Sequence, residues 1–169
     1  MAEKDTIFSS KIKSKGIFTF DEFYRFCYDW LKDETGLDIS EDKYAEKLKG
    51  DEKEIDIKWT GTKKVTDYFK FEIKVTFRIL GLKKVEIAKG NAKIETNKGS
   101  VEIKVKSTLI RDYDGKFEKD AIRKFLRSIY EKWVIKARIE QLEAKLIGDS
   151  DEFLGQAKAY LDLEGKKRH

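Results

Sequence analysis

The chain has 169 residues, 41% of them charged and 40% hydrophobic, with 37 basic against 32 acidic side chains and a single cysteine. That length and apolar content suffice for one domain with its own core, which excludes intrinsic disorder, and the lone Cys27 excludes an internal disulfide or a multi-cysteine zinc site. No apolar run approaches the roughly 18 residues of a membrane-spanning helix, and Met1–Phe8 lacks the apolar block of a signal peptide, so the expected location is the cytoplasm.

One domain is expected over residues 1–164, with a basic, disordered tail at 165–169. The formal charge of +5 is spread along the chain and favours anionic partners only weakly. Heavy Lys and Glu usage beside two Asn, two Gln and one Met is a composition associated with hot-growing organisms, while the absence of Pro points the other way.

In chain order, Thr6–Lys13 reads as a short edge strand carrying Phe8 and Ile12. A helix is expected to start at Thr19, because Thr19 and Glu22 have capping-box spacing and Phe18 and Phe23 form the matching hydrophobic staple. Phe20, Phe23, Cys27, Trp30 and Leu31 then recur at helical spacing, and Gly36 ends the helix. From Lys43 to Arg111 the period becomes two. Phe69, Phe71, Ile73, Val75, Phe77 and Ile79 alternate with Lys70, Glu72, Lys74, Thr76 and Arg78, giving a strand with one apolar and one ionic face. Ile55–Ile57–Trp59 and Val101–Ile103–Val105 repeat the pattern, and glycines at 50, 61, 81, 90 and 99 punctuate it, so about six strands should pair as an antiparallel meander. After the turn-like Asp112-Tyr113-Asp114-Gly115, a long helix is expected from about Phe117 to Ile147. Gly148 should end it, and a short final helix should carry Phe153, Ala157 and Leu161. The fold class is therefore α+β, with an N-terminal helix, the meander, a long C-terminal helix packed on the sheet and a short final helix.

The long helix carries two apolar stripes. Ile122, Phe125, Leu126, Ile129 and Trp133 form the first; Ile135, Ile139, Leu142 and Leu146 form the second, rotated by about 130°. The first is expected on the sheet. The second is expected on Phe153, Ala157 and Leu161 of the final helix within a monomer, the alternative being a homodimer through the long helix.

Catalytic machinery is not legible. The only histidine is the terminal His169, so no His-assisted nucleophile is available, and the glycines spell neither a phosphate-binding loop nor a dinucleotide-binding turn. Asp67 and Asp112, each preceding a Tyr, are the least surface-like carboxylates, and turn positions explain both. The Asp112 run opens like a calcium loop, but Arg123 stands where the bidentate Glu is needed. No catalytic residue, metal or cofactor is assigned.

Two binding surfaces remain. Arg123, Arg127, Tyr130, Arg138 and Lys145 form a basic, aromatic-interleaved stripe suited to the phosphates of RNA or of an anionic membrane surface, although Arg127 and Glu131 are also spaced to pair along a solvated face. Phe20, Phe23, Tyr24, Phe26, Tyr28 and Trp30 cover more than one face of the first helix, as a second core layer or the wall of an apolar pocket. The order of elements from Thr6 to Ile147 resembles the helix-grip architecture of START-like and Bet v 1-like proteins, with a pleckstrin-homology-like barrel as the second choice. The resemblance implies a cavity between sheet and long helix for lipids or other apolar small molecules, for which Phe23, Cys27, Trp30, Phe71, Ile129 and Trp133 are the candidate lining residues. The expected function is a noncatalytic binding protein for an apolar or amphipathic ligand. The alternative is an accessory protein that binds RNA or an anionic surface.

Overall fold

A computed structural model describes residues 3–115 and 120–167, the side chains of Val134, Lys166 and Lys167 excepted. The chain runs β1 (Glu3–Phe18), α1 (Phe20–Thr35), β2 (Asp38–Lys49), β3 (Glu52–Lys64), β4 (Phe69–Lys89), β5 (Ala92–Arg111), α2 (Ala121–Ile129), a π-helical turn (Tyr130–Val134) and α3 (Lys136–Lys167). The strands form one antiparallel sheet in the order β1-β5-β4-β3-β2, so the expected meander is flanked by β1 on the far side of β5.

The alternating strands put their apolar residues on one face. Ile55, Ile57 and Trp59 of β3, Phe69 to Ile79 of β4, and Val101, Ile103, Val105 and Leu109 of β5 are all buried there. Two helices share that face. α1 lies toward β3 and β4, with Phe23 edge-on to Phe77 at 6.4 Å and Tyr28 edge-on to Trp59 at 5.7 Å. α3 lies toward β1 and β5, and Phe26 of α1 stacks on its Tyr160 at 4.6 Å. Where α3 crosses β5, Ser107 and Ser150 share a buried hydroxyl–hydroxyl bond of 2.5 Å, and Ser150 donates to the Leu146 carbonyl. The opposite face of the sheet keeps its Lys, Arg and Glu in solvent, as the period of two requires.

Several expectations are corrected. Among the described residues the sheet has five strands rather than about six, because β4 and β5 each run through the glycine expected to break them. The pair bends instead at a register shift between Leu80 and Lys83, with Gly81 at φ 62°. A Cβ on Gly99 would come within 3.1 Å of the Leu82 backbone, so the bend needs glycine opposite it. α1 does start after Thr19, and Phe18 meets Phe23 at 5.8 Å as the staple requires. The capping box is absent. Thr19 Oγ1 pairs with Thr96 Oγ1, and the Asn97 side chain accepts from the Phe20 amide at 3.0 Å, so the cap comes from β5.

The C-terminal helices are divided elsewhere than expected. Gly148 lies inside α3; the break falls at Ile135, after the π-helical turn. Leu142, Leu146, Ser150, Phe153, Leu154, Ala157 and Leu161 form one buried stripe, and that burial outweighs the roughly 1 kcal/mol penalty of a mid-helix glycine. Leu142 and Leu146 therefore do not pack on Phe153, Ala157 and Leu161 as a helix pair. All lie on the same helix and face the same sheet. The tail expected at 165–169 is helical through Lys167, and the expected helix start at Phe117, like Arg168 and His169, lies outside the described residues.

The register makes a direct test available. Replacing Ile73 by Ala should cost about 2–5 kcal/mol in denaturant unfolding, whereas Lys74→Ala, on the solvent face, should stay within about 0.5 kcal/mol. A second test concerns Tyr24, which donates to Glu41, the acceptor also used by Trp59 Nε1. Burial and then the Glu41 carboxylate push its phenol from 10.0 up to about 12. The neutral phenol is thus favoured by folding, so this stability is complete below about pH 10 and is lost as pH rises toward 12. Thermal melts across that range should show a steep alkaline decline that Tyr24→Phe makes shallower.

Candidate functional site

The site is built where the sheet hands over to α2. β5 ends at Arg111, and Asp112 turns the chain with φ 51°, its carbonyl accepting from the Gly115 amide at 2.8 Å. Asp120 caps α2 by accepting from the Arg123 amide at 2.8 Å. The inward side of this helix is ionic. Arg127, only 8% exposed, reaches Asp112 at 3.3 Å and Glu3 at 2.7 Å. Glu131, in the following π-helical turn, accepts from Arg111 Nη1 at 2.6 Å and from the Tyr68 hydroxyl. Arg111 Nη2 in turn donates to Asp5 at 2.6 Å, while its buried Nε has no hydrogen-bond partner among the described residues. Burial and the adjacent Glu131 carboxylate raise the Tyr68 phenol well above its ordinary range. Tyr130 completes the clamp by meeting the Tyr68 ring edge-on at 5.6 Å.

Fixing Arg127 and Glu131 inward turns the apolar side of α2 outward, since residues three and four apart share a helix face. Ile122 is 72% exposed, Phe125 64%, Leu126 50% and Trp133 74%, with Ile129 also exposed. This corrects the expectation that the first stripe lies on the sheet. Beside it runs an open groove of about 690 Å³ lined by Arg111, Ser128, Glu131, Lys132, Trp133, Lys136 and Ile139. The groove thus has an aromatic and aliphatic wall and a cationic rim.

The residues proposed to line a pocket are not brought together. Phe23, Cys27 and Phe71 are sealed in the core, where burial raises the Cys27 thiol and leaves it unreactive. Trp30 packs against Phe153 at 5.8 Å. Ile129 and Trp133 stand on the exposed stripe instead. The basic stripe is divided too. Arg127 is held in the clamp, Arg123 lies 3.7 Å from Asp120, Lys145 lies 3.5 Å from Asp149, and Tyr130 packs on Tyr68, leaving Arg138 exposed. Of the two carboxylates singled out, Asp67 is exposed and Asp112 is buried against Arg127. Sequence reasoning missed Arg111, Glu3, Asp5 and Tyr68 altogether. The available signal was the phase jump between the two stripes, which marks a break before Ile135 and frees α2 to rotate.

No protein-family model, curated protein or solved structure matches the chain. If the Arg127 clamp sets the orientation of α2, Arg127→Ala should destabilise the fold by about 3–5 kcal/mol in urea, because the buried Asp112 loses its Arg127 ion pair. Arg123→Ala, at the surface, should stay within about 0.5 kcal/mol.

Proposed function

We propose that the protein is a noncatalytic binding module for amphipathic molecules, those with an apolar body and an anionic end. Its binding surface is the outward side of α2, the π-helical turn and the groove beside them. The observation that carries this reading is the inversion of α2, whose charged Arg127 is buried while its large apolar residues face solvent. A soluble chain rarely leaves so continuous an apolar stripe uncovered without using it. The groove volume of about 690 Å³ falls within the range typical of small-molecule sites. Trp133 and Ile139 supply its apolar wall, and Lys132 and Lys136 supply positive charge for an anionic end.

In this reading the ligand sits at the margin of the fold rather than between sheet and long helix, because Phe23, Cys27 and Phe71 already fill that interior. The alternative, an accessory protein that binds RNA or an anionic surface through the basic stripe Arg123, Arg127, Tyr130, Arg138 and Lys145, loses Arg127 to the clamp as a contact residue.

Dodecyl phosphate, titrated below its micelle concentration, provides the test. Saturable binding with a blue shift of tryptophan emission is expected, and Trp133→Phe should remove most of that shift because Trp59 is buried and Trp30 is packed on Phe153. Binding that is undiminished in Trp133→Ser, or no saturable binding of alkyl phosphates and carboxylates, would overturn the assignment.

A further inference from the structure

The outward side of α2 carries more than an apolar stripe. At 3.6 residues per turn, Ile122, Phe125, Leu126 and Ile129 fall within an arc of about 100°. Between Ala121 and Arg138 the sequence holds one carboxylate, Glu131, and that one faces inward to Arg111. Arg123, Lys124, Lys132, Lys136 and Arg138 are all exposed. The nearest acid in the chain before them, Asp120, is already engaged by the Arg123 amide and lies 3.7 Å from its guanidinium. In a chain whose basic and acidic residues are nearly balanced, 37 to 32, this segment presents cations and apolar side chains to solvent together.

Charge decides the occupant. A second copy docked on the same stripe would set these cations against their own counterparts, which disfavours a symmetric dimer. A single convex helix with Trp, Phe, Leu and Ile flanked by Lys and Arg suits a deformable apolar phase bounded by negative charge. We infer that α2 and the π-helical turn dock in the plane of an anionic lipid bilayer, with Ile122, Phe125, Leu126, Ile129 and Trp133 in the acyl boundary and Arg123 and Lys132, which flank the stripe on its two sides, at the headgroups. The inference deepens the reading of this face as an amphiphile-binding surface by naming the bilayer as what it meets. The clamp holds the rest of the domain behind the helix, and Trp133 beside Lys132, at 5.4 Å from its ring centre, has the amphipathic character of an interfacial anchor.

Vesicle flotation with full-length protein tests this. Vesicles containing phosphatidylserine should retain the protein, pure phosphatidylcholine vesicles should not, and retention should fall with salt. Reversing Arg123 and Lys132 together to Glu should weaken retention by on the order of thirtyfold or more. Phe125→Ser with Trp133→Ser should also abolish it while leaving the melting temperature near that of the parent, because both side chains are largely solvated. Leu80→Ser, an exposed apolar change on the sheet, serves as the control and should leave retention intact. Brominated lipids should quench Trp133 in the parent. No retention on anionic vesicles, equal retention of the Ser and Glu variants, or a dilution-resistant dimer dispersed by Phe125→Ser would each overturn the inference. If monomeric dodecyl phosphate binds and vesicles do not, the bilayer is wrong and the amphiphile reading stands; if neither binds, both fall.

Discussion

A buried guanidinium must find its partners, and in this protein that requirement orients a whole helix. Arg127 satisfies it with Asp112, itself buried, and with Glu3. Because removing such charges from water costs several kcal/mol per ion, the geometry persists only when the partners are in place. Helical periodicity then leaves no freedom: with Arg127 and Glu131 turned inward, Ile122, Phe125 and Leu126 must turn outward. Each of those apolar side chains is half or more exposed, so a large part of the roughly 1.5–3 kcal/mol that full burial brings is not realised within the domain. That energy is available to whatever covers the stripe.

The π-helical turn lets this arrangement coexist with an ordinary core. α3 keeps one buried stripe, from Leu142 to Leu161, against the β1–β5 side of the sheet, and α2 keeps its ionic side against the ends of β1 and β5. A straight helix cannot satisfy both phases. The change occurs at Ile135, whose amide donates back to the Tyr130 carbonyl at 3.1 Å. Such wide turns are frequently found at functional positions in helices, which agrees with the placement of the groove beside it.

Much of the fold was legible because its signals are local. The alternation from Phe69 to Ile79 identifies β4 and its buried face, Phe18 and Phe23 mark the entry to α1, and Gly36 marks its exit with φ 73°. Features that depend on distant partners were hidden. Gly148 resembles a helix terminator until the stripe on either side is seen to share one phase. Arg127 and Glu131 resemble a surface pair at i, i+4 spacing, yet each finds its counter-charge on another element. The outward stripe was visible as a pattern, but its direction depended on ion pairs between residues more than a hundred positions apart, such as Arg127 with Glu3.

The cap on α1 carries a consequence for how the chain acquires its shape. Thr96 and Asn97, which serve the first turn of α1, stand 77 residues downstream of their partners and arrive only when β5 has paired. Until then the helix has its staple but lacks a side-chain acceptor for the Phe20 amide, so its first turn is under-stabilised in the nascent chain. The β4–β5 hairpin is local, whereas β1 must close onto β5 across a long stretch of chain, with Glu3 opposite Arg111. Loop-closure entropy therefore places the hairpin before the edge strand and ties the completed start of α1 to the middle of that order. A segment that looks self-sufficient by sequence becomes a reporter of sheet assembly.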